Sequence, residues 1–131
     1  MILVDTSVLI DFFKGVKNEA SQKLESVLQR DISFGITSFI FQEVLQGAAS
    51  EKEYSVLDKY LRTQRFYHLK DPIDSFARAA RIYMNCRKKR ITVRSTIDCL
   101  IVETALEHDL FLLHNDSDFS AIARVVPLKF Y

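Results

Sequence analysis

Five carboxylates stand where a folded chain brings distant side chains together. Asp5 closes the apolar run Ile2, Leu3, Val4 and is followed by Thr6 and Ser7. Glu43 lies inside a helical pattern over 39–48, and Asp98 falls in the first turn of a pattern opened by Ser95 and Thr96. Asp116 and Asp118 come just after the apolar run 110–113. Carboxylates packed within a few ångströms repel, and at least one is pushed toward protonation. A divalent cation removes that conflict. Mg²⁺ and Mn²⁺ are hard ions that take carboxylate and water oxygens and leave water positions for a phosphate. Such an ion activates water, stabilises a leaving oxygen and neutralises phosphoryl charge. Acids without accompanying His or Cys ligands therefore point to metal-assisted phosphodiester hydrolysis. Thr6 and Ser7 supply hydroxyls behind the ligands, placed to hold Asp5 or a metal-bound water.

Each acid also has an ordinary structural role open to it. Asp, Thr and Ser are good helix N-caps, so Asp5 has a use as a cap. Ser95-x-x-Asp98 has the outline of a capping box, and an acid there favours the helix dipole. Asp116 or Asp118 would serve to cap a short helix from Phe119. Glu43 lies well round from the apolar stripe at 40, 41, 44, 45 and 48, and a solvated surface position is the commonest fate of Glu. Taken singly, the structural role is the commoner outcome. Two acids at the ends of two apolar strands, with two more on helices, weigh toward a shared site.

Placing these residues together is the task of the surrounding elements. The β-branched run 2–4, cut off by small polar residues and a helix start, has the pattern of a buried parallel strand feeding a helix with Val8, Leu9, Phe12 and Phe13 inward. Open α/β sheets hold their ligand crevice outside the carboxyl ends of the strands. If the strands before Asp5 and Asp116 are parallel neighbours, both acids open onto one edge, and a helix start beside it adds Asp98. Further helical patterns cover 19–29 and 51–62, the latter with Tyr54, Leu57, Tyr60 and Leu61 inward. A long one carries the stripe Ile73, Phe76, Ala77, Ala80, Tyr83 and Met84 after an Asp71-Pro72 start signal. Short strand patterns cover 32–36, 65–69 and 125–130. The fold class is α/β with a short, mainly parallel sheet.

The chain has 131 residues and no repeat or linker, so a single domain over 1–131 is expected. Only three Gly and two Pro accompany ten Phe, which favours helices over a turn-rich β fold. A net charge of +1 gives no global steering toward nucleic acid, so any such binding needs a local patch. Arg87, Lys88, Lys89, Arg90 and Arg94 form one, leading into the helix that bears Asp98. It either dresses a helix C-terminus with cations or contacts phosphates without reading sequence. Cys86 and Cys99 lack metal-type spacing and are expected to be reduced, packed thiols. His68, His108 and His114 form no set. The apolar start lacks a basic leader and is broken by Asp5 and Asp11, so neither a signal peptide nor a membrane span is expected, and the location expected is the cytoplasm.

At these residues the chain resembles the PIN-domain ribonucleases, in particular the VapC-type toxins of toxin–antitoxin pairs. The resemblance spans nearly the whole length. It rests on ILVDTSVLIDFF at the start, SFIFQEVLQG, STIDCLIVETALEHDLFLLHNDSDF and the terminal strand. It implies a three-layer PIN-like fold and an endoribonuclease in which Asp5, Glu43, Asp98 and Asp116 gather around Mg²⁺ or Mn²⁺, with Asp118 able to share the role of Asp116. It also implies homodimers, inhibition by a small antitoxin protein, and cleavage of structured RNA such as tRNA or rRNA. The chain departs from the family in having His114 and Asn115 before Asp116, where many relatives carry a Thr. Two rival readings are a haloacid-dehalogenase-type phosphatase, which wants a second Asp where Ser7 stands, and a binding module without catalysis.

Overall fold

The computed structural model describes residues 1–131. Five strands, β1 (Ile2–Val4), β2 (Phe34–Ile36), β3 (Arg65–Phe66), β4 (Phe111–Leu113) and β5 (Lys129–Phe130), form one sheet in the order β3-β2-β1-β4-β5. Every pairing is parallel. Seven helices flank it: α1 (Thr6–Phe13), α2 (Glu19–Gln29), α3 (Ser38–Gln46), α4 (Glu51–Arg62), α5 (Asp74–Lys88), α6 (Thr96–Glu107) and α7 (Ser117–Ile122). The strands are covered on both faces, which is why β1, β2 and β4 are nearly unbroken apolar runs. Leu3, Val4, Ile36 and Leu112 have no exposed surface, and a continuous core of 31 buried residues surrounds them.

The strand order carries the functional consequence. From β1 the chain steps outward to β2 and β3, then returns to the other side of β1 for β4 and β5. The direction of travel reverses between β1 and β4, so a crevice opens between the loops leaving these two strands. Ile2, Leu3 and Val4 lie beside Phe111, Leu112 and Leu113, and the Asp5 amide extends the ladder to the Leu113 carbonyl at 3.0 Å. Asp5 and Asp116 thus leave adjacent strands on the same edge.

Helix ends fall close to the sequence reading, with α2 and α4 at the bounds expected, although no glycine marks the stops of α2, α5 and α6. Asp31, Arg90 and Asp109 take left-handed backbone angles after α2, α5 and α6, where glycine is the usual choice. The amides of Ile32, Ile91 and Leu110 then reach back to Val27, Cys86 and Ala105 at 2.9 Å each, closing the helices in glycine-free caps. The inward faces also shift. Leu57 and Leu61 are buried, but Tyr54 is 45% exposed, so α4 presents a narrower stripe than expected. On α5, Ile73, Phe76 and Tyr83 remain exposed while Ala79, Ile82 and Cys86 are buried.

Two local devices hold the scaffold. On α5, Arg78 donates to Glu103 at 2.9 Å and to Glu107 at 3.1 Å on α6, and Glu107 also accepts the Lys70 amide at 2.8 Å. Burial opposes ionisation of Glu107, but its hydrogen-bond partners, the Lys70 amide and the Arg78 guanidinium among them, outweigh it and hold its pKa at about 2. On β2, Gly35 lies under the ring of buried Tyr67, where a β-carbon would run into the ring and crowd the Arg65 carbonyl at 3.1 Å. Gly35→Ala is therefore expected to destabilise the fold by about 1–3 kcal/mol through overpacking. A urea unfolding midpoint equal to that of the wild type would refute this.

Candidate metal centre

Asp5 ends β1 and caps α1. Its Oδ2 accepts the Ser7 amide at 3.1 Å and the Ser7 hydroxyl at 2.7 Å, and the residue is 5% exposed. The Ser7 hydroxyl in turn accepts the Asn115 amide at 3.1 Å, tying the loop after β1 to the loop after β4. Thr6 turns the other way and donates to Oε1 of Glu43 at 2.9 Å, fixing the half-buried α3 carboxylate toward the same edge. One oxygen of Asp5 thus caps the helix, the structural role the sequence left open to it.

Asp116 caps α7 through the Asp118 amide at 2.9 Å. Its own amide donates to Nδ1 of His114 at 3.1 Å, and that ring packs on Phe119 and Phe130. Asp118 is buried, and its Oδ2 accepts both the main-chain amide of Arg94 at 3.2 Å and its Nε at 3.1 Å. The Arg94 Nη2 reaches Asp116 Oδ1 at 3.3 Å. Asp98 rises from the first turn of α6, where Ser95 caps the helix through the Ile97 amide. Carboxylate oxygens of Asp98, Asp116 and Asp118 lie within 4.8 Å of one another.

The electrostatics follow from this crowding. Burial, then the charges of Asp5, Asp116, Asp118 and Glu43, pushes Asp98 up to a pKa of about 7. Burial likewise raises Asp5 and Glu43. Asp118 moves the other way, because the Arg94 guanidinium donates to it and holds its carboxyl below the usual range. The set offers only hard oxygen donors, three of them converge, and Ser7, Thr6 and backbone amides hold the carboxylates from behind. These features fit a hard divalent cation.

All five acids singled out in the sequence reach one edge of the sheet. Ser7 supports Asp5 as expected, whereas Thr6 supports Glu43 instead. Arg87, Lys88, Lys89 and Arg90 are exposed at the end of α5, but Arg94 has left that group and entered the acidic cluster. Sequence reasoning missed Asn115, whose main-chain amide bonds Ser7 and whose side chain donates to Asp11 at 3.3 Å. It also passed over Glu103. The i+5 spacing from Asp98 did place Glu103 on another face, and there it meets Arg78. Only the folded pairing of α5 with α6 reveals that partner.

An all-parallel sheet with acids converging at its switch point defines a class of metal-dependent nuclease folds. The chain belongs to the PIN-domain family, whose model matches residues 2–125. It is 32% identical to the VapC ribonuclease Mb1587 of Mycobacterium bovis and to the ribonuclease VapC11 of Mycobacterium tuberculosis, over 98% of this chain and 96% of each relative. Among solved structures it resembles VapBC2 from Rickettsia felis bound to a promoter DNA fragment, with a TM-score of 0.73 at 17% identity, covering 100% of this chain and 98% of that one. VapBC-1 from nontypeable Haemophilus influenzae gives a TM-score of 0.72 at 16% identity, covering 100% and 97%. The likeness to these structures concerns the fold.

The raised pKa of Asp98 has a consequence for stability without metal. Between its unfolded value of 3.8 and about 7, the folded chain keeps a proton that the unfolded chain has lost. Stability then falls as pH rises through that window. The melting temperature in chelator is expected to drop from pH 5 to pH 8, and Asp98→Asn is expected to flatten most of the drop. An equally steep profile in the variant would contradict the assignment of Asp98 as the most strained charge.

Proposed function

We propose that this protein is a metal-dependent endoribonuclease and the toxin of a type II toxin–antitoxin system, hydrolysing RNA phosphodiester bonds. The single observation that carries the reading is the convergence of Asp5, Glu43, Asp98, Asp116 and Asp118 at the switch point of a PIN fold, in a chain 32% identical to VapC ribonucleases. We read residues 1–131 as one nuclease domain, a reading supported by one sheet and one continuous core. Asp5, Glu43, Asp98 and Asp116 are the assigned catalytic ligands, with Asp118 beside them. The group they hold is Mg²⁺ or Mn²⁺.

When bound, the ion supplies neutralising charge for a phosphoryl group and lowers the pKa of an attacking water. The chain's own residues do the rest. Ser7 and Thr6 fix the Asp5 and Glu43 carboxylates so that little reorganisation is needed when the ion and the RNA arrive. The Asn115 amide on the Ser7 hydroxyl keeps the β1 and β4 loops in register. Arg87, Lys88, Lys89 and Arg90 are assigned to backbone phosphates, which would place an RNA strand across the crevice without selecting its sequence. No covalent intermediate is proposed. Ser7 occupies the position where a phosphatase of the haloacid-dehalogenase type needs its second acid.

For partners, we assign an RNA substrate, a small antitoxin protein and a second copy of the chain. The antitoxin is supported by the solved relatives, which are toxin–antitoxin complexes. A homodimer is supported by the uncovered α5–α6 face, where Phe76, Ala80, Tyr83 and Leu100 line an apolar hollow of about 370 Å³. No helix is long and apolar enough to cross a membrane. We assign the protein to the cytoplasm, where the substrate is found and where buried Cys86 and Cys99 stay free thiols.

Two measurements test this reading. Asp5→Asn is expected to lower Mn²⁺-supported RNA cleavage by at least about 100-fold while the variant melts as a folded protein. Wild-type cleavage by a folded Asp5→Asn would end the proposal. In a melting experiment without RNA, Mn²⁺ at a hundredfold excess over its Kd adds about 2.7 kcal/mol, a rise of about 10 °C for a domain of this size. A melting temperature indifferent to millimolar Mn²⁺ and Mg²⁺ argues for the non-catalytic binding module instead.

A further inference from the structure

The loop that carries Asp116 is held amide by amide. The Asn115 amide donates to the Ser7 hydroxyl at 3.1 Å, and its side chain donates to Asp11, which Asn18 also holds at 2.9 Å. The Asp118 amide goes to Asp116 Oδ1 at 2.9 Å, and the Phe119 amide to the Asp116 carbonyl at 3.2 Å. The amide of Asp116 itself has one acceptor, Nδ1 of His114, at 3.1 Å. That nitrogen accepts only when it carries no proton, so the neutral ring holds its proton on Nε2.

The ring is fixed from two sides. It packs against Phe119, with centroids 5.3 Å apart, and against Phe130 at 4.5 Å. Phe119 is fully buried in α7, and Phe130 lies in β5, opposite Leu112 of β4. Asp116 is extended, with φ −136° and ψ 121°, and its Oδ1 already takes the Asp118 amide and Arg94 Nη2. The direction of its carboxylate therefore follows the direction of its backbone. Asn, Asp, Ser and Thr side chains commonly bind the amide two residues on. Here an imidazole does so, and it adds an aromatic contact that those side chains lack.

We propose that His114 is a positioning residue of the metal centre: its Nδ1 takes the Asp116 amide and, with the ring locked on Phe119 and Phe130, aims the Asp116 carboxylate toward Asp98 and Asp118. It touches no reacting atom. The inference rests on the metal-site reading of the preceding section and adds to it a residue that is not an acid and that only the folded loop reveals.

The test separates the acceptor from the ring. His114→Phe keeps the aromatic packing and removes the acceptor. His114→Asn loses the ring but places its Oδ1 where Nδ1 stood, and His114→Gln carries its oxygen one bond further out. Mn²⁺ alone is titrated calorimetrically into the full chain of each protein, and each is melted in chelator. His114→Phe is expected to melt as the wild type does and to bind Mn²⁺ at least about 10-fold more weakly. His114→Asn is expected to melt lower yet to keep the wild-type affinity, and His114→Gln to melt as His114→Asn does and bind weakly. A histidine that only stabilises the loop gives a different order, with affinity following melting temperature. Wild-type affinity in His114→Phe, or equal affinities in His114→Asn and His114→Gln, overturns the inference. If His114→Phe does not fold, the comparison of Asn with Gln decides alone. Wild-type Mn²⁺ binding that no variant alters leaves the metal centre standing and removes only the role of His114. No Mn²⁺ binding by the wild type removes both.

Discussion

The constraint on which this molecule turns is the mutual repulsion of carboxylates at the switch point between β1 and β4. Five negative groups from four separate parts of the sequence meet at one end of a sheet whose strands are only two or three residues long. An arrangement of this kind opposes folding electrostatically, and the surrounding structure offsets the opposition. Buried apolar strands fix where the loops emerge. Hydroxyl and amide donors take up individual oxygens, and one arginine covers the outer pair of acids. Asp98 is left without any of these aids, and its proton affinity rises accordingly. The strain is concentrated at the residue with the freest oxygens, as expected of a site shaped for a cation that the chain does not itself provide.

The scaffold resists that strain mainly through α5 and α6. Arg78 bridges Glu103 and Glu107, and Glu107 also holds the Lys70 amide at the approach to α5. Glu103 and Glu107 are almost fully covered, so removing Arg78 would leave Glu103 without its partner and both acids without a countercharge, whereas replacing the whole group by apolar residues would not. The network orients the helix that delivers Asp98 and lies a full turn away from it. It does for the helix pair what the Asn115–Ser7 bond does for the two loops.

Much of this was legible in the sequence, and the parts that were not share a cause. The strands were readable because β1 and β4 are buried on both faces and show continuous apolar runs ending abruptly in polar residues. Four of the acids were readable because each follows a strand or opens a helix, and Glu43, inside α3, because it lies off the apolar stripe; the Val4-Asp5-Thr6-Ser7 and Asn115-Asp116-Ser117-Asp118-Phe119 runs added a family likeness. Helix ends were legible as well, although Asp31, Arg90 and Asp109 stand where a glycine would have marked the stop. The exposure of Tyr54 and Ile73 was hidden because a periodic stripe shows only which residues share a face. It does not show how much of that face another element covers. The partners of Thr6, Asn115, Glu103 and Arg94 lie between 22 and 108 positions away. No local pattern encodes pairings at that range.

The pairing of β1 with β4 also has a bearing on how the protein is made. Asp5 is synthesised well before the strand that must lie beside it, which begins at Phe111. Chains grow at roughly 5–20 residues per second, so for several seconds the N-terminal strand has neither its neighbour nor Asp98 and Asp116. During that interval no complete set of acids exists anywhere in the nascent polypeptide. The connectivity of the sheet itself thus delays the meeting of these acids until β4 and the loop after it have been made.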